Sequence, residues 1–122
     1  MNLKIVVAGC RYYNDYHESA NKLDDIITAI PKDEKITFIS GKCRGADRIG
    51  EEYARKNGYE IEYFSADWKR YGRAAGPIRN KEMVKSADLI VCFWDEESRG
   101  TKSLIEICRK LNKKTVIIRI KN

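Results

Sequence analysis

Several absences narrow the field before any motif is read. No apolar run in the 122 residues approaches the ~20 residues of a membrane-crossing helix, so no membrane partner is expected. Met1-Asn2-Leu3-Lys4 leads straight into Ile5-Val6-Val7-Ala8 with no cleavage-site pattern behind it, unlike a secretory leader. The expected compartment is the cytoplasm. Histidine occurs once, at His17, and Cys10, Cys43, Cys92 and Cys108 are widely spaced with no Cys-x-x-Cys pair. Zinc sites usually pair their ligands at short spacing, so no metal site is expected, and no cofactor is called for. The chain also lacks both the Gly-x-Gly-x-x-Gly dinucleotide fingerprint and the Walker A pattern. Its two prolines fall at helix boundaries, Pro31 after a helical pattern and Pro77 where a first helical residue belongs.

What is present reads as one domain. A chain of this length holds a single core and buries roughly two thirds of its unfolded surface, enough to fold without disulfide or metal. The net charge of +6 suits an anionic partner without naming it. Much of the excess lies late, at Arg109, Lys110, Lys113, Lys114, Arg119 and Lys121. Such a cluster reads as a solvated helix end or, alternatively, as a nucleic-acid patch.

Strand and helix patterns alternate throughout. Leu3–Ala8 and Asp88–Trp94 are continuous apolar runs, as in strands buried on both faces. Lys35–Ser40, Glu60–Phe64 and Thr115–Ile120 supply three more strands, the second alternating and so placed at an edge. Helical spacing marks Glu18–Ile30, Ala46–Lys56, Pro77–Ser86 and Thr101–Leu111, while Ser65–Gly76 reads as a long irregular stretch. Alternating strands and helices call for a parallel sheet covered on both faces, a Rossmann-like three-layer α/β/α fold with strand order 3-2-1-4-5. Ligands of such sheets sit beyond the carboxyl ends of the strands where chain direction reverses, here between strands one and four.

Three glycine-containing loops follow those ends. Gly9-Cys10-Arg11 brings the backbone close to a ligand and offers a guanidinium. In Ser40-Gly41-Lys42-Cys43-Arg44-Gly45-Ala46-Asp47, backbone N–H groups and the helix start form an expected anion nest, with Asp47 a cap or dipole partner. Gly100-Thr101 opens the last helix, where Thr101 either caps it or meets the ligand; Glu106 follows on the same helix. Reactivity of Cys10 and Cys43, in these loops, is left open by the pattern. In the irregular stretch Trp68 and Tyr71 are candidates to stack on a base, Trp68 alternatively covering the sheet edge, with Arg73, Arg79 and Asn80 nearby.

Gly-x-Arg after strand one, Ser-Gly-x-x-x-Gly-Ala-Asp after strand two, Ala-Gly-Pro-x-Arg-Asn-x-x-Met and Arg-Gly-Thr together resemble the SLOG superfamily, and within it the YspA-like proteins of bacteria and phages. The resemblance covers nearly the whole chain. It implies a Rossmann-like fold and a nucleotide or nucleotide-derived ligand, with a compound related to NAD or ADP-ribose as one candidate. It also implies a homodimer, which the residue pattern itself does not require. Ligand-binding candidates are then Gly9, Arg11, Ser40, Gly41, Arg44, Gly45, Asp47, Trp68, Arg79, Asn80, Gly100 and Thr101. The lonely-guy phosphoribohydrolases of that superfamily offer an alternative, N-glycosidic hydrolysis, with Arg79 and Glu106 as catalytic candidates. This chain departs from their Pro-Gly-Gly-x-Gly-Thr loop with Glu97-Ser98-Arg99-Gly100-Thr101. A third alternative, nucleic-acid binding, follows from the DNA-processing protein A family sharing the superfamily fold.

Overall fold

The computed structural model describes residues 2–42 and 45–121. Its five strands are β1 (Asn2–Gly9), β2 (Lys35–Ser40), β3 (Glu60–Tyr63), β4 (Leu89–Trp94) and β5 (Lys114–Arg119). The helices are α1 (Tyr16–Thr28), α2 (Ala46–Lys56), α3 (Trp68–Tyr71), α4 (Ala75–Ser86) and α5 (Arg99–Lys110). All strand pairings are parallel and the order is β3-β2-β1-β4-β5, as the alternation of elements requires. Among the described residues no helix is long and apolar enough to cross a membrane.

The apolar runs work because successive strand residues face opposite sides of the sheet. Ile5 and Val7 enter a core with Phe38, Val91 and Phe93 beneath α1 and α2. Val6 and Ala8 enter a second core with Ile39, Ile90 and Cys92 beneath α4 and α5. Cys92 and Cys108 are buried thiols of that second core, small hydrophobes in effect. Burial pushes the Cys92 thiol far above the ordinary thiol range, so it stays protonated.

Two expectations are corrected. Ser65–Gly76 is not irregular throughout: α3 and a 3-10 turn at Gly72–Ala74 occupy much of it. Asp67 caps α3, its carboxylate accepting from Arg70 N at 3.2 Å, a local bond that apolar periodicity does not register. Helix α4 starts at Ala75, so Pro77 is its third residue. Its missing N–H still falls in the first turn, where no intrahelical acceptor exists.

Helix α2 lies close on β1 because Gly50 has no side chain. A Cβ there would stand 2.7 Å from Val7 Cβ in the sheet below. Gly50→Ala is therefore expected to destabilise the fold by about 1–3 kcal/mol in urea titrations, the range of an overpacked core. Gly100→Ala, where an added Cβ meets open space, is the control expected to change stability little or raise it slightly.

Candidate functional site

Strands β2 and β4 flank β1, and the chain returns from opposite directions at the carboxyl end of that pair. A crevice of about 630 Å³ opens there. Its floor is Ala8, Gly9, Cys10, Asp47 and Met83. Arg11 and Tyr12 from the β1 loop, Ser98–Thr101 and Ser103 from the start of α5, and Gly76, Pro77, Arg79 and Asn80 from α4 form the walls. Trp68 stands at the mouth, 57% exposed.

The backbone near the floor is tight. At Gly9 (φ +152°) a Cβ would fall 2.2 Å from the Phe93 carbonyl oxygen, so only glycine lets β1 leave the sheet beside β4. Gly45 (φ +77°) packs its Cα against the Cys10 carbonyl, which also accepts from Ala46 N at 3.4 Å. The start of α2 is thus docked on the β1 loop.

Of the anion nest expected after β2, the described residues are engaged elsewhere. Ser40, Gly41 and Gly45 do not line the crevice. Ser40 is buried, and its hydroxyl donates to Glu51 Oε2 at 2.6 Å and accepts from Lys42 N at 3.1 Å. Gly41 instead joins two crevice residues. Its N–H donates to Asp47 Oδ2 at 3.1 Å, and its carbonyl accepts from Arg79 Nη1 at 2.5 Å. Asp47 is not the helix cap, a position held by Gly45, but it is the acidic residue of the first turn of α2, the dipole-partner place, and a buried crevice carboxylate. Arg79 is held a second time, Nε donating to Asn80 Oδ1 at 2.9 Å. Arg44 and Cys43 lie outside the described residues.

Helix α5 begins at Arg99, so Gly100 and Thr101 are its second and third residues and Thr101, which is buried, is not its cap. The cap position is Ser98, which makes no side-chain cap bond. Its hydroxyl lies 3.1 Å from both Asp95 Oδ2 and Cys10 Sγ. The first-turn N–H groups of α5 therefore meet the crevice without a side-chain cap, the arrangement that favours an anion. Glu106, further along α5, is exposed and is not among the lining residues. Helical spacing accounts for this: five residues past Thr101 is about 500°, which turns the side chain far from the face that Thr101 presents.

Sequence reasoning missed Asp95. Its Oδ1 accepts from the N–H groups of Glu97 (2.9 Å) and Ser98 (2.7 Å), while Tyr12 OH donates to Oδ2 at 2.5 Å. One carboxylate thereby ties the β1 loop to the β4–α5 loop across the crevice. An Asp two and three residues before the N–H groups it accepts from is a recognisable turn signal, but the link to Tyr12 is tertiary. The late cations are largely engaged elsewhere: Lys113 Nζ donates to the Ala87 carbonyl at 2.9 Å, and Arg119 pairs with Glu96 at 2.6 Å. Arg109 and Lys110 fall in the last turn of α5, where a helix favours cations. Among the described residues no group of three potential metal ligands occurs.

With this geometry in view, comparison with known proteins decides the family. The profile of the YspA, cpYpsA-related SLOG family matches residues 3–71. The chain belongs to that family. A relative within reach of sequence is the Gene 61 protein of Mycobacterium phage D29, 30% identical over 113 residues, which are 88% of this chain and 89% of the phage protein. Among solved structures, DNA processing protein A (DprA) from Streptococcus pneumoniae is similar to this SLOG chain with a TM-score of 0.72 at 15% identity. The match covers 94% of this chain and 50% of DprA, so the chain spans half the length of that protein. A predicted subunit of tRNA methyltransferase from Methanocaldococcus jannaschii gives a TM-score of 0.49 at 12% identity, over 96% of this chain and 66% of that one. At 15% identity the match to DprA speaks for the fold alone, and it agrees with the Rossmann-like architecture.

The hydrogen bond from Tyr12, with the Glu97 and Ser98 N–H groups, holds the Asp95 carboxyl well below the usual carboxylate range, against a smaller opposing effect of burial. A carboxyl depressed in the folded state stabilises it above the unfolded value of ~3.9 and loses that contribution as pH falls through the folded value. Asp95→Asn is thus expected to lower the melting temperature at neutral pH, with the gap to the parent protein closing only as pH drops below about 4. A gap constant from pH 7 to pH 2 would refute the ionic role.

Proposed function

We propose that the crevice between β1 and β4 binds the phosphate-bearing part of a nucleotide or nucleotide-derived ligand. The observation that carries this reading is the uncapped start of α5, which bears Arg99, sharing one crevice with the guanidinium-bearing residues Arg11 and Arg79. Helix dipole, free first-turn N–H groups and planar cations are the donors that phosphate oxygens require. Trp68 at the mouth offers a flat face to a base. The volume falls in the usual range for small-molecule sites. Asp47 gives the crevice a polarity: phosphate belongs at the α5 end, and hydrogen-bond donors of the ligand, such as ribose hydroxyls, at the Asp47 end. Gly9, Asn80, Gly100 and Thr101 complete the ligand contacts. An NAD- or ADP-ribose-related compound has these parts, and so does a simple mononucleotide.

Nothing in the geometry favours the hydrolase alternative, because Glu106 does not share the crevice with Arg79. The carboxylate that does, Asp47, is already engaged by the Gly41 N–H. Binding is the better reading.

Thermal-shift screening of the protein against a nucleotide panel that includes NAD, ADP-ribose and nucleoside monophosphates is the direct test. A ligand at 100 times its dissociation constant stabilises by about 2.7 kcal/mol, a shift readily seen. Arg11 and Arg99 are exposed, so Arg11→Ala and Arg99→Ala are each expected to weaken the bound nucleotide about tenfold or more while leaving the unliganded melting temperature unchanged. No stabilisation by any member of the panel would remove the proposal.

A further inference from the structure

Four of the large apolar side chains that the fold leaves exposed are aromatic, and all four follow the carboxyl ends of strands: Tyr12, Tyr63, Trp68 and Tyr71. Tyr12 is engaged by Asp95. Tyr63 and Tyr71 each have a cation beside the ring. Lys42 Nζ stands 5.4 Å from the Tyr63 ring centre, and the Arg70 guanidinium 5.2 Å from that of Tyr71. Trp68 begins a segment, Trp68–Lys81, that holds Lys69, Arg70, Arg73, Arg79 and Lys81 and not one acidic residue.

Packing does not account for the first half of this segment, residues 68–74. Neither α3 nor the 3-10 turn after it buries a single residue, and Tyr71 and Tyr63 are 40% and 47% exposed. Flat rings and uncompensated cations on one surface strip are suited to unpaired bases and their phosphates: every base has a face to stack, and every linkage a charge. The acidic residues Asp95-Glu96-Glu97 follow β4 instead, Glu96 paired with Arg119. The run of cations free of acidic residues thus lies on the α3 side of the crevice.

We infer that this aromatic and basic strip extends the crevice into a binding surface for single-stranded nucleic acid, one nucleotide occupying the crevice and its neighbours lying over α3. The inference rests on the nucleotide reading of the crevice, and the two fail in different ways. Tyr71, Lys69, Arg70 and Arg73 are not crevice-lining residues, so the strip can be changed without touching the crevice.

The test is fluorescence anisotropy of the whole protein with labelled deoxythymidine oligomers up to ~16 nucleotides, beside thermal shifts with thymidine monophosphate, across a salt series. Affinity is expected to rise with length beyond one nucleotide and to fall with salt. Tyr71→Ala should weaken the oligomer about tenfold, the loss of one stacked base, and leave the mononucleotide shift intact. The triple change Lys69→Ser, Arg70→Ser, Arg73→Ser should reduce the log–log salt slope by up to about 2. Affinity independent of length would overturn the strip and leave the nucleotide site standing; no response to either probe would remove both. Equal competition by polyglutamate would show a surface that reads charge alone, as an acidic protein partner would, and would also overturn the inference.

Discussion

Burial of β1 on both faces is the constraint from which the rest of the molecule follows. Its side chains alternate between two cores, and its backbone is hydrogen-bonded to β2 on one side and β4 on the other. A strand so enclosed is open only toward its two ends, and the crevice forms at the carboxyl end. The chain leaves that end through Gly9, against the Phe93 carbonyl, because any larger residue would collide with β4. The crevice is the space left where β1 turns away between two strands whose own connections depart to opposite faces of the sheet.

Around that space the polar groups are organised by two carboxylates. Asp47 receives the Gly41 N–H, and the Gly41 carbonyl receives Arg79, so the β2 loop, α2 and α4 are linked through one residue. Asp95 does the same between the β1 and β4 loops through Tyr12, Glu97 and Ser98. Each holds a wall of the crevice in place before a ligand arrives, and preorganised groups lose less freedom on binding than mobile ones. The Ser98 hydroxyl, drawn to Asp95 and Cys10 instead of capping α5, leaves the helix start available. The same contact puts the Cys10 thiol on the crevice floor, buried and beside a hydroxyl.

The strand order, the edge position of β3 and the location of the crevice were legible in the residues, because they depend on hydrophobic period and chain direction alone. Gly9, Arg11, Trp68, Arg79 and Gly100 were legible for a related reason: loops at the carboxyl ends of strands must surround the switch point. Ser40, Gly41 and Gly45 read as an anion nest from composition, yet they face the protein. A glycine-rich loop before a helix serves equally well for a backbone carbonyl, and here that carbonyl belongs to Cys10. Glu106 could by its residues alone point to the crevice or to solvent; it is exposed, about 140° around α5 from Thr101.

Local rules of period, charge and glycine placement thus determined the fold class, the order of the sheet and the end of it where the crevice opens. Tertiary structure alone decided which polar groups look into the crevice and which are consumed in building it. The reason is that a hydrogen-bond partner far along the chain, such as Asp95 for Tyr12 or Gly41 for Arg79, leaves no trace in local spacing. Only the packed sheet brings those atoms within bonding distance, and with them the floor, the two walls and the open aromatic strip beside them.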